Sequence, residues 1–419
     1  MEEKKQKRIL IVSPYGFNDR MASFIEFTVG RVLAEDGWTV IAIVKSDNDI
    51  SSVDTTCGIT VYRYVSLLEG LGRVLRVFVF SCPQIVHIHN LRNNRIGIIT
   101  SILAKFVRVP LLFTEYGLLH DHYITHDRED PIGKPIHGEN VIASTRKLLK
   151  YFCRGDFKRW GYFLKSYIFH WPLTHASSVV FVSKHNFKIM DAIGLKNYVY
   201  LPQIMDEYRW TYKEVGLDQA LVRHHGEVSK KLEVIKNDKN VLFIGQIKLR
   251  KGWDVLLKSI PHISALNVKN FIVISATADK EPREFTALAD SLGVRDRVIF
   301  LGRVSNGEIL KNAYEVSSAV IVPSRYEGFG LVPVEAFEMR KPVIASDVEA
   351  LNEFLIHGYN ALLVPPRDEL KLSEAINLIS TDKDLFGKLI NGGGQTLEKM
   401  KSGEYKKRWL NYYEKFLPK

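Results

Sequence analysis

The stretch that decides the fold is Ile321–Asp347, IVPSRYEGFGLVPVEAFEMRKPVIASD. An apolar run that reads as a buried strand ends at Pro323. A loop then carries Gly328 and Gly330 on either side of Phe329, a helix is expected from near Pro333, and a second strand opens at Pro342. Strand, loop, helix and strand in that order form the unit of a parallel sheet covered by helices. Proline suits a first helical turn because its missing N–H would have had no acceptor there. Glycines just before a helix start let a ligand approach the backbone, and the free N–H groups of the first turn attract phosphate. Glu327 and Glu335 flank this turn, eight positions apart. Carboxylates accept hydrogen bonds from hydroxyls, so a ligand bearing both diphosphate and sugar hydroxyls fits better than a bare phosphate.

The same grammar extends outward along the chain. After Asn237, KNVLFIGQ, NFIVISA, DRVIFLG, SAVIVPS and KPVIAS read as short buried strands, each followed by a helical pattern or a loop. An earlier series fills the first ninety residues: KRILIVSP, the amphipathic ASFIEFTVGRVLAEDG, TVIAIVK, a short strand at Ile59–Val65, and PQIVHIH. Two successive doubly wound α/β units are expected, with no short-period repeat. Between Leu201 and Asp238 the rhythm lapses into polar, charged sequence, which predicts a linker and a helix leading into the second unit. In the closing GEYKKRWLNYYEKFLPK, Tyr405, Trp409, Tyr412, Tyr413 and Phe416 fall at helical spacing with lysines between, predicting an amphipathic helix that needs a surface to cover.

Composition agrees with this division. The chain has 419 residues, 46% hydrophobic and 25% charged, and a mean hydropathy of −0.07. Its length is about twice what one core usually organises, so two domains are expected and a single small module is excluded. No run approaches the ~18 apolar residues of a spanning helix, and MEEKKQKR leads into RILIVSP without the apolar core of a signal peptide. The expected protein is soluble and cytoplasmic. Cys57, Cys82 and Cys153 are scattered and form no CxxC pair, which argues against a disulfide framework or a zinc cluster. The net charge of +11 points to anionic partners: nucleic acid, acidic lipid or phosphorylated small molecules.

The E-x7-E string with its GFG insert, the preceding PS and the following KPVIASD resemble the signature of retaining family 4 glycosyltransferases of the GT-B fold. The resemblance continues through PQIVHIHN, VPLLFTEYG and ASSVVFVSKH, and through VLFIGQIKLRKGWDVLLKS and the segment DRVIFLGRVSNGEILKNAYEVSSAVIVPS. It implies two Rossmann-like domains facing across a cleft, an acceptor-side domain at 1–203, a donor domain at 204–402, and a helix at 403–419 returning to the first. It further implies that Glu335 holds the ribose hydroxyls, that Glu327 contacts the transferred sugar, and that amides around Phe329, Gly330 and Leu331 hold the diphosphate. In GQIKLRKGW, Lys251 matches the family's diphosphate-binding lysine, but Gln246 stands where the family usually has arginine. Arg250 either replaces the missing guanidinium or stays outside the site. The base is expected at backbone groups near Arg303 and Val304.

In the first domain, the loop SPYGFNDRMAS corresponds to the family's glycine-rich acceptor-side loop but holds only Gly16, which could let an acceptor or phosphate approach. Tyr116 occupies the place of the family's histidine that contacts the donor sugar. It could hydrogen-bond a sugar hydroxyl or simply pack, with His120 and His122 close behind it. Two further segments depart from the family, SATAD at Ser275–Asp279 and PQIMD at Pro202–Asp206, where glycines are lost and the final aspartate is kept. His87 and His89 share one strand face, yet no third ligand accompanies them, so hydrogen-bonded core histidines are expected rather than a metal site. Asp47-Asn48-Asp49 reads as a turn rather than a metal-diphosphate motif.

Residues 146–171 carry Arg146, Lys147, Lys150, Arg154, Lys158, Arg159 and Lys165 among nine aromatic residues, against one acid, Asp156. Either this segment docks on anionic lipid or its aromatics fill a core beneath a solvated basic face. No nucleic-acid-binding module is recognisable. The resemblance therefore implies an enzyme, a retaining glycosyltransferase of hexosyltransferase type. It would move a sugar from a nucleotide-diphosphate donor to a hydroxyl acceptor, a glycan, a lipid-linked molecule or a small molecule, without a metal or other cofactor. The expected setting is cytoplasmic, with peripheral contact on an anionic membrane face. The alternatives are a glycosyltransferase-like subunit that binds a nucleotide sugar or lipid without turnover, and a nucleotide-sugar epimerase of the same fold.

Overall fold

The computed structural model describes residues 6–14, 25–46, 51–90, 94–115, 153–155, 164, 171–185, 187, 195–204, 219–264, 266–275, 278–304, 307–401 and 403–418. The chain divides into two units: Met1–Asp206 with Ser402–Lys419, and Glu207–Lys401.

In the first unit the described residues form an eight-stranded sheet of order β3-β4-β2-β1-β5-β6-β7-β8. The strands are β1 (Arg8–Ser13), β2 (Thr39–Lys45), β3 (Ser52–Thr56), β4 (Ile59–Tyr64), β5 (Ile85–His89), β6 (Leu111–Glu115), β7 (Ser178–Phe181) and β8 (Tyr198–Tyr200). All neighbours are parallel except β3, which pairs antiparallel with β4 at the edge. The sequence reading missed β3. Its SVDTT lacks the apolar run of a central strand, and three of its five residues are exposed, as an edge tolerates. β1 and β2 are instead near-continuous aliphatic runs, and β5 interrupts such a run only with His87 and His89; almost every residue of the three is buried, because helices cover both faces. These helices include α1 (Ile25–Glu35), α2 (Leu67–Phe80) and α3 (Arg95–Phe106). Ser66 caps α2 by accepting from the Glu69 N–H, and Asn94 caps α3 by accepting from the Gly97 N–H at 2.7 Å.

The terminal helix, Gly403–Glu414, belongs to this unit. Trp409, Tyr412 and Tyr413 form its buried face, worth about 1.5–3 kcal/mol for each large side chain taken from water. The Trp409 Nε1–H donates to the carbonyl of Pro202 at 2.8 Å, and the Tyr413 hydroxyl lies 2.6 Å from His87 Nδ1. Sequence spacing alone identified this face.

In the second unit a six-stranded, all-parallel sheet has the order β11-β10-β9-β12-β13-β14. Its strands are β9 (Asn240–Gly245), β10 (Asn270–Ser275), β11 (Val298–Gly302), β12 (Ala319–Val322), β13 (Val343–Ser346) and β14 (Ala361–Val364). The first five are the ones expected. β14, a four-residue ALLV, was too short to stand out in the sequence. The helices are α4 (Gln219–Ile235), α5 (Trp253–Ser259), α6 (Arg283–Ser291), α7 (Gly307–Glu315), α8 (Leu331–Glu338), α9 (Glu369–Thr381) and α10 (Lys383–Lys401). α4 is the helix anticipated before the second unit. The core brings Phe243, Trp253, Leu257, Phe271, Phe285 and Ile376 together. Among the described residues no helix is long and apolar enough to cross a membrane.

The strand order reverses direction between β9 and β12. From β9 the chain moves outward through β10 and β11, then returns to β12 and moves the other way. At such a reversal the loops leaving the carboxyl ends of the two strands diverge and open a crevice. The loop after β9 carries Gln246, Arg250 and Lys251, and the loop after β12 carries Glu327, Phe329 and Gly330.

Candidate functional site

Two backbone features bring these loops together. After β9 the chain makes a 3-10 turn at Leu249–Lys251 and reverses at Gly252, whose φ is 70°. A Cβ at Gly252 would lie 1.8 Å from the Pro323 carbonyl oxygen, so only glycine lets the β9 loop lie against the end of β12. The Arg325 N–H then donates to the Arg250 carbonyl at 2.8 Å. The Arg325 guanidinium grips the Asp254 carboxylate through two hydrogen bonds of 2.7 Å each, and a further bond reaches the carbonyl of Leu249. Arg325 and Asp254 expose only 12% and 10% of their side chains, so this bidentate pair works in a poorly solvated place where geometry counts most.

This clamp delivers the charged cluster. Lys251 Nζ donates to Glu327 Oε1 at 2.6 Å, Ser324 Oγ donates to the same oxygen at 2.7 Å, and Arg250 Nη1 lies 3.7 Å from Glu327 Oε2. Burial alone would raise the Glu327 pKa, but the charges of Lys251 and Arg250 and the hydrogen bonds from Lys251 and Ser324 outweigh it and hold the carboxyl below its ordinary value. Burial pushes the Lys251 ammonium below the usual lysine value, against the pull of Glu327. Two cations therefore face one ionised carboxylate. The Arg250 guanidinium also lies over the Tyr326 ring, 5.6 Å from its centroid.

Helix α8 begins two residues earlier than proline placement implied, at Leu331, with Gly330 as its N-cap. Gly330 has φ 94°, and a Cβ there would meet Leu351 Cδ2 at 2.3 Å. Phe329 stacks on Phe354 with centroids 5.1 Å apart, which fixes the turn. The first-turn N–H groups of a helix have no intrahelical acceptor, and the helix dipole makes that end positive. Glu335 is buried on the following turn, where its Oε2 accepts from the Tyr314 hydroxyl of α7. Glu335 is also near enough to raise the Lys251 pKa. Tyr314 and Asp254 were missed in the sequence because both lie outside the motif, and Arg325 within it gives no local sign of its partner; only the fold reveals these pairs.

At the far side of the β9 strand, Arg303 and Val304 follow β11. Arg303 Nε pairs with Asp279 at 3.1 Å, and the Arg303 carbonyl accepts from His224 Nε2 at 3.2 Å. Gly302, at φ 71°, lets the backbone pass close to the Asp279 carbonyl. Gln246 is half-buried at the end of β9, where its carbonyl accepts from the Lys248 N–H at 2.8 Å.

Other expectations have different outcomes. Gly16, Tyr116, His120, His122, Asp47-Asn48-Asp49, Ala276 and Asp206 lie outside the described residues, as does most of 146–171. His87 is a hydrogen-bonded core histidine. Its Nδ1 lies 2.6 Å from the Tyr413 hydroxyl and its Nε2 lies 2.7 Å from Thr114 Oγ1.

Two cations and two carboxylates close to a positive helix end, on loops that leave a strand-order reversal, define an α/β protein equipped for an anionic ligand that also bears hydroxyls. Residues 226–396 match the family described as Glycosyl transferases group 1. An uncharacterized glycosyltransferase of Methanocaldococcus jannaschii is 31% identical over 188 residues, 44% of this chain and 47% of the relative. The chain thus spans about half the length of the curated relative it matches. Among solved structures, sucrose-phosphate synthase from Thermosynechococcus elongatus superposes with TM-score 0.71 at 18% identity, covering 98% of this chain and 99% of that one. Anabaena HepE in complex with UDP and glucose gives 0.64 at 16%, covering 98% and 100%. These likenesses establish the GT-B fold over nearly the full length.

Proposed function

We propose that the protein is a retaining glycosyltransferase that moves a sugar, of hexosyl type, from a nucleoside-diphosphate donor to a hydroxyl acceptor. The observation that carries this reading is the Lys251–Glu327–Arg250 cluster beside the left-handed Gly330 at the start of α8. As the glycosidic bond to the diphosphate breaks, the anomeric carbon becomes oxocarbenium-like and negative charge gathers on the leaving oxygen. An ammonium has three N–H donors, so Lys251 can keep its bond to Glu327 and still present two to the diphosphate. Arg250 and the first-turn amides near Phe329, Gly330 and Leu331 add fixed positive potential where that charge develops. Glu327 would accept from sugar hydroxyls and Glu335 from the ribose, while Gln246 and Val304 would line the donor. Tyr116 and Gly16 are assigned to the sugar and the acceptor by family resemblance alone.

Three features support a UDP-sugar donor: the family match, the fold shared with HepE, whose structure holds UDP and glucose, and the cationic crevice. The roles of Lys251, Arg250 and the helix start leave no charge-neutralising task for a metal ion. A hydroxyl acceptor, lipid-linked and presented at an anionic membrane face, suits the net charge of +11.

The test is direct. Purified protein is titrated calorimetrically with UDP, ADP and GDP and their hexose conjugates, and the preferred donor is followed by NMR for product and anomeric configuration. Binding and slow donor hydrolysis with retention, both abolished by Glu327→Gln and Lys251→Ala, are the expected results. Release of an altered free sugar would establish an epimerase, and donor binding without turnover would establish a non-catalytic subunit.

A further inference from the structure

Helices α2 and α3 are apolar on two opposite faces. On α2, Gly70, Val74 and Val77 face the sheet, while Leu68, Leu75 and Val79 are 82%, 46% and 66% exposed. The exposed positions fall at i, i+7 and i+11, a single stripe diametrically opposite the buried one. On α3, Ile102 and Phe106 form a similar exposed stripe below Arg95, while Ile96, Thr100 and Ala104 are buried. The two helices pack against each other on one face of the sheet, α2 over β2 and β4 and α3 over β1, β5 and β6. Both are crossovers between parallel strands, so both run against the strand direction and end at the amino edge of the sheet. Phe80 closes α2 there at 80% exposure and Phe106 closes α3 at 84%, followed by the exposed Val107.

A soluble domain seldom leaves two adjacent helices apolar toward water. The charges around this face tell what covers it. Arg76, Lys105 and Arg108 are exposed beside the phenylalanines and form no ion pair among the described residues. The one acid in either helix, Glu69, is taken by Arg73 at 3.2 Å and by Ser51. A second copy of the chain would set cations against cations across an isologous contact.

We propose that the α2–α3 face is a docking surface for anionic lipid bilayers. Phe80, Phe106, Val79 and Leu68 enter the headgroup boundary, and Arg76, Lys105 and Arg108 pair with lipid phosphates. The amino edge lies opposite the carboxyl edge of the sheet, where ligands of such folds sit, so docking leaves that edge open. The inference stands on the first unit alone and does not depend on the reaction proposed above.

The experiment is vesicle flotation of the full-length protein with phosphatidylcholine alone and with phosphatidylcholine containing phosphatidylglycerol. Binding to the anionic vesicles that weakens as salt screens the headgroups is expected. Phe80→Ser combined with Phe106→Ser should lower it roughly tenfold or more, and Arg76→Ala or Lys105→Ala about fivefold each. Thermal midpoint and UDP-sugar affinity should not change. Leu266→Ser, which alters an apolar residue 85% exposed in the second unit, should have no effect. Three results would overturn the proposal: no binding of the native protein to anionic vesicles, binding untouched by the paired serine variant but lost in Lys147→Ala/Arg154→Ala, or a native dimer in sedimentation velocity that the serine variant dissolves.

Discussion

His87 makes the first unit vulnerable to mild acid, at a pH where carboxylates are still ionised. The ring is buried between strand β6 and the terminal helix, with Thr114 on one nitrogen and Tyr413 on the other. Burial depresses its pKa to about 3 from the usual 6.5, while in the unfolded chain it titrates normally. Between these values the unfolded state binds the extra proton. Stability is therefore full above pH 6.5 and is lost as pH falls toward 3. The loss approaches 1.4 kcal/mol per pH unit, or roughly 2 kcal/mol by pH 5. His89, which burial and then the neighbouring His87 hold well below 6.5, adds to it in the same direction. Glu327, depressed below its ordinary value, works in a lower window, below about pH 4.5.

The perturbation is His87→Gln, whose amide can still meet one of the two hydroxyls but carries no proton. Urea unfolding is followed by tryptophan fluorescence at a series of pH values, since Trp38 and Trp409 both lie against Tyr413. At pH 8 the variant should be the less stable protein. By pH 5 that deficit should shrink by roughly 2 kcal/mol, because only the native chain keeps a histidine to protonate there. Parallel stability curves from pH 8 to pH 5 would refute the reasoning.

Four further outcomes follow from the second unit. Gly252→Ala places a methyl against the Pro323 carbonyl in a left-handed conformation that itself costs about 1–2 kcal/mol, so soluble yield and thermal midpoint should both collapse. Arg325→Ala strands the buried Asp254 carboxylate and should destabilise by roughly 3–5 kcal/mol in urea unfolding, with Asp254→Asn/Arg325→Met recovering much of that loss. Tyr314→Phe removes the hydroxyl that Glu335 accepts from, which should cost about 1.5–3 kcal/mol of stability and weaken UDP-sugar binding in calorimetry. Gln246→Arg should change little in the native background but rescue donor affinity in Arg250→Ala, if Arg250 supplies the missing guanidinium; a gain only in the native background would show that it does not.

The two-unit architecture was legible because parallel strands buried on both faces are written as unbroken Val/Ile runs, as in ILIV and VIAIV. What escaped notice was whatever lacks that signal. The edge strand β3 is polar because one side of it faces water, and β14 is only four residues long. In the site, Glu327, Gly330 and Glu335 share one local motif, whereas Lys251 stands in a second segment, GQIKLRKGW, and was singled out by its match to the family's lysine. Tyr314 bonds Glu335 from 21 positions away, and Asp254 meets Arg325 across 71. Such partners are set by strand order, which no local pattern records. The exposed apolar stripe of α2 was equally hidden, since LLEGLGRVLRVFVF looks like a helix buried all round until the sheet shows which half it covers.

The two ion-pair systems at the ends of β9 and β12 show which charges serve the fold and which await a ligand. Arg325 and Asp254 are matched one to one, fork to fork, at 2.7 Å, and each satisfies the other. Such a closed pair holds two loops in register and has nothing left to offer. The neighbouring cluster is not closed in this way: Lys251 and Arg250 both face Glu327, and Glu335 lies near enough to act on Lys251, next to the positive start of α8. Gathering such charges out of water is costly, and an apolar core of the same volume would serve stability as well or better. Nothing in the fold requires the cluster, because Gly252 and the Arg325–Asp254 clamp already fix the loops. Its cost makes chemical sense if the cluster serves a ligand, since an ammonium has three donors and the bond to Glu327 uses one of them.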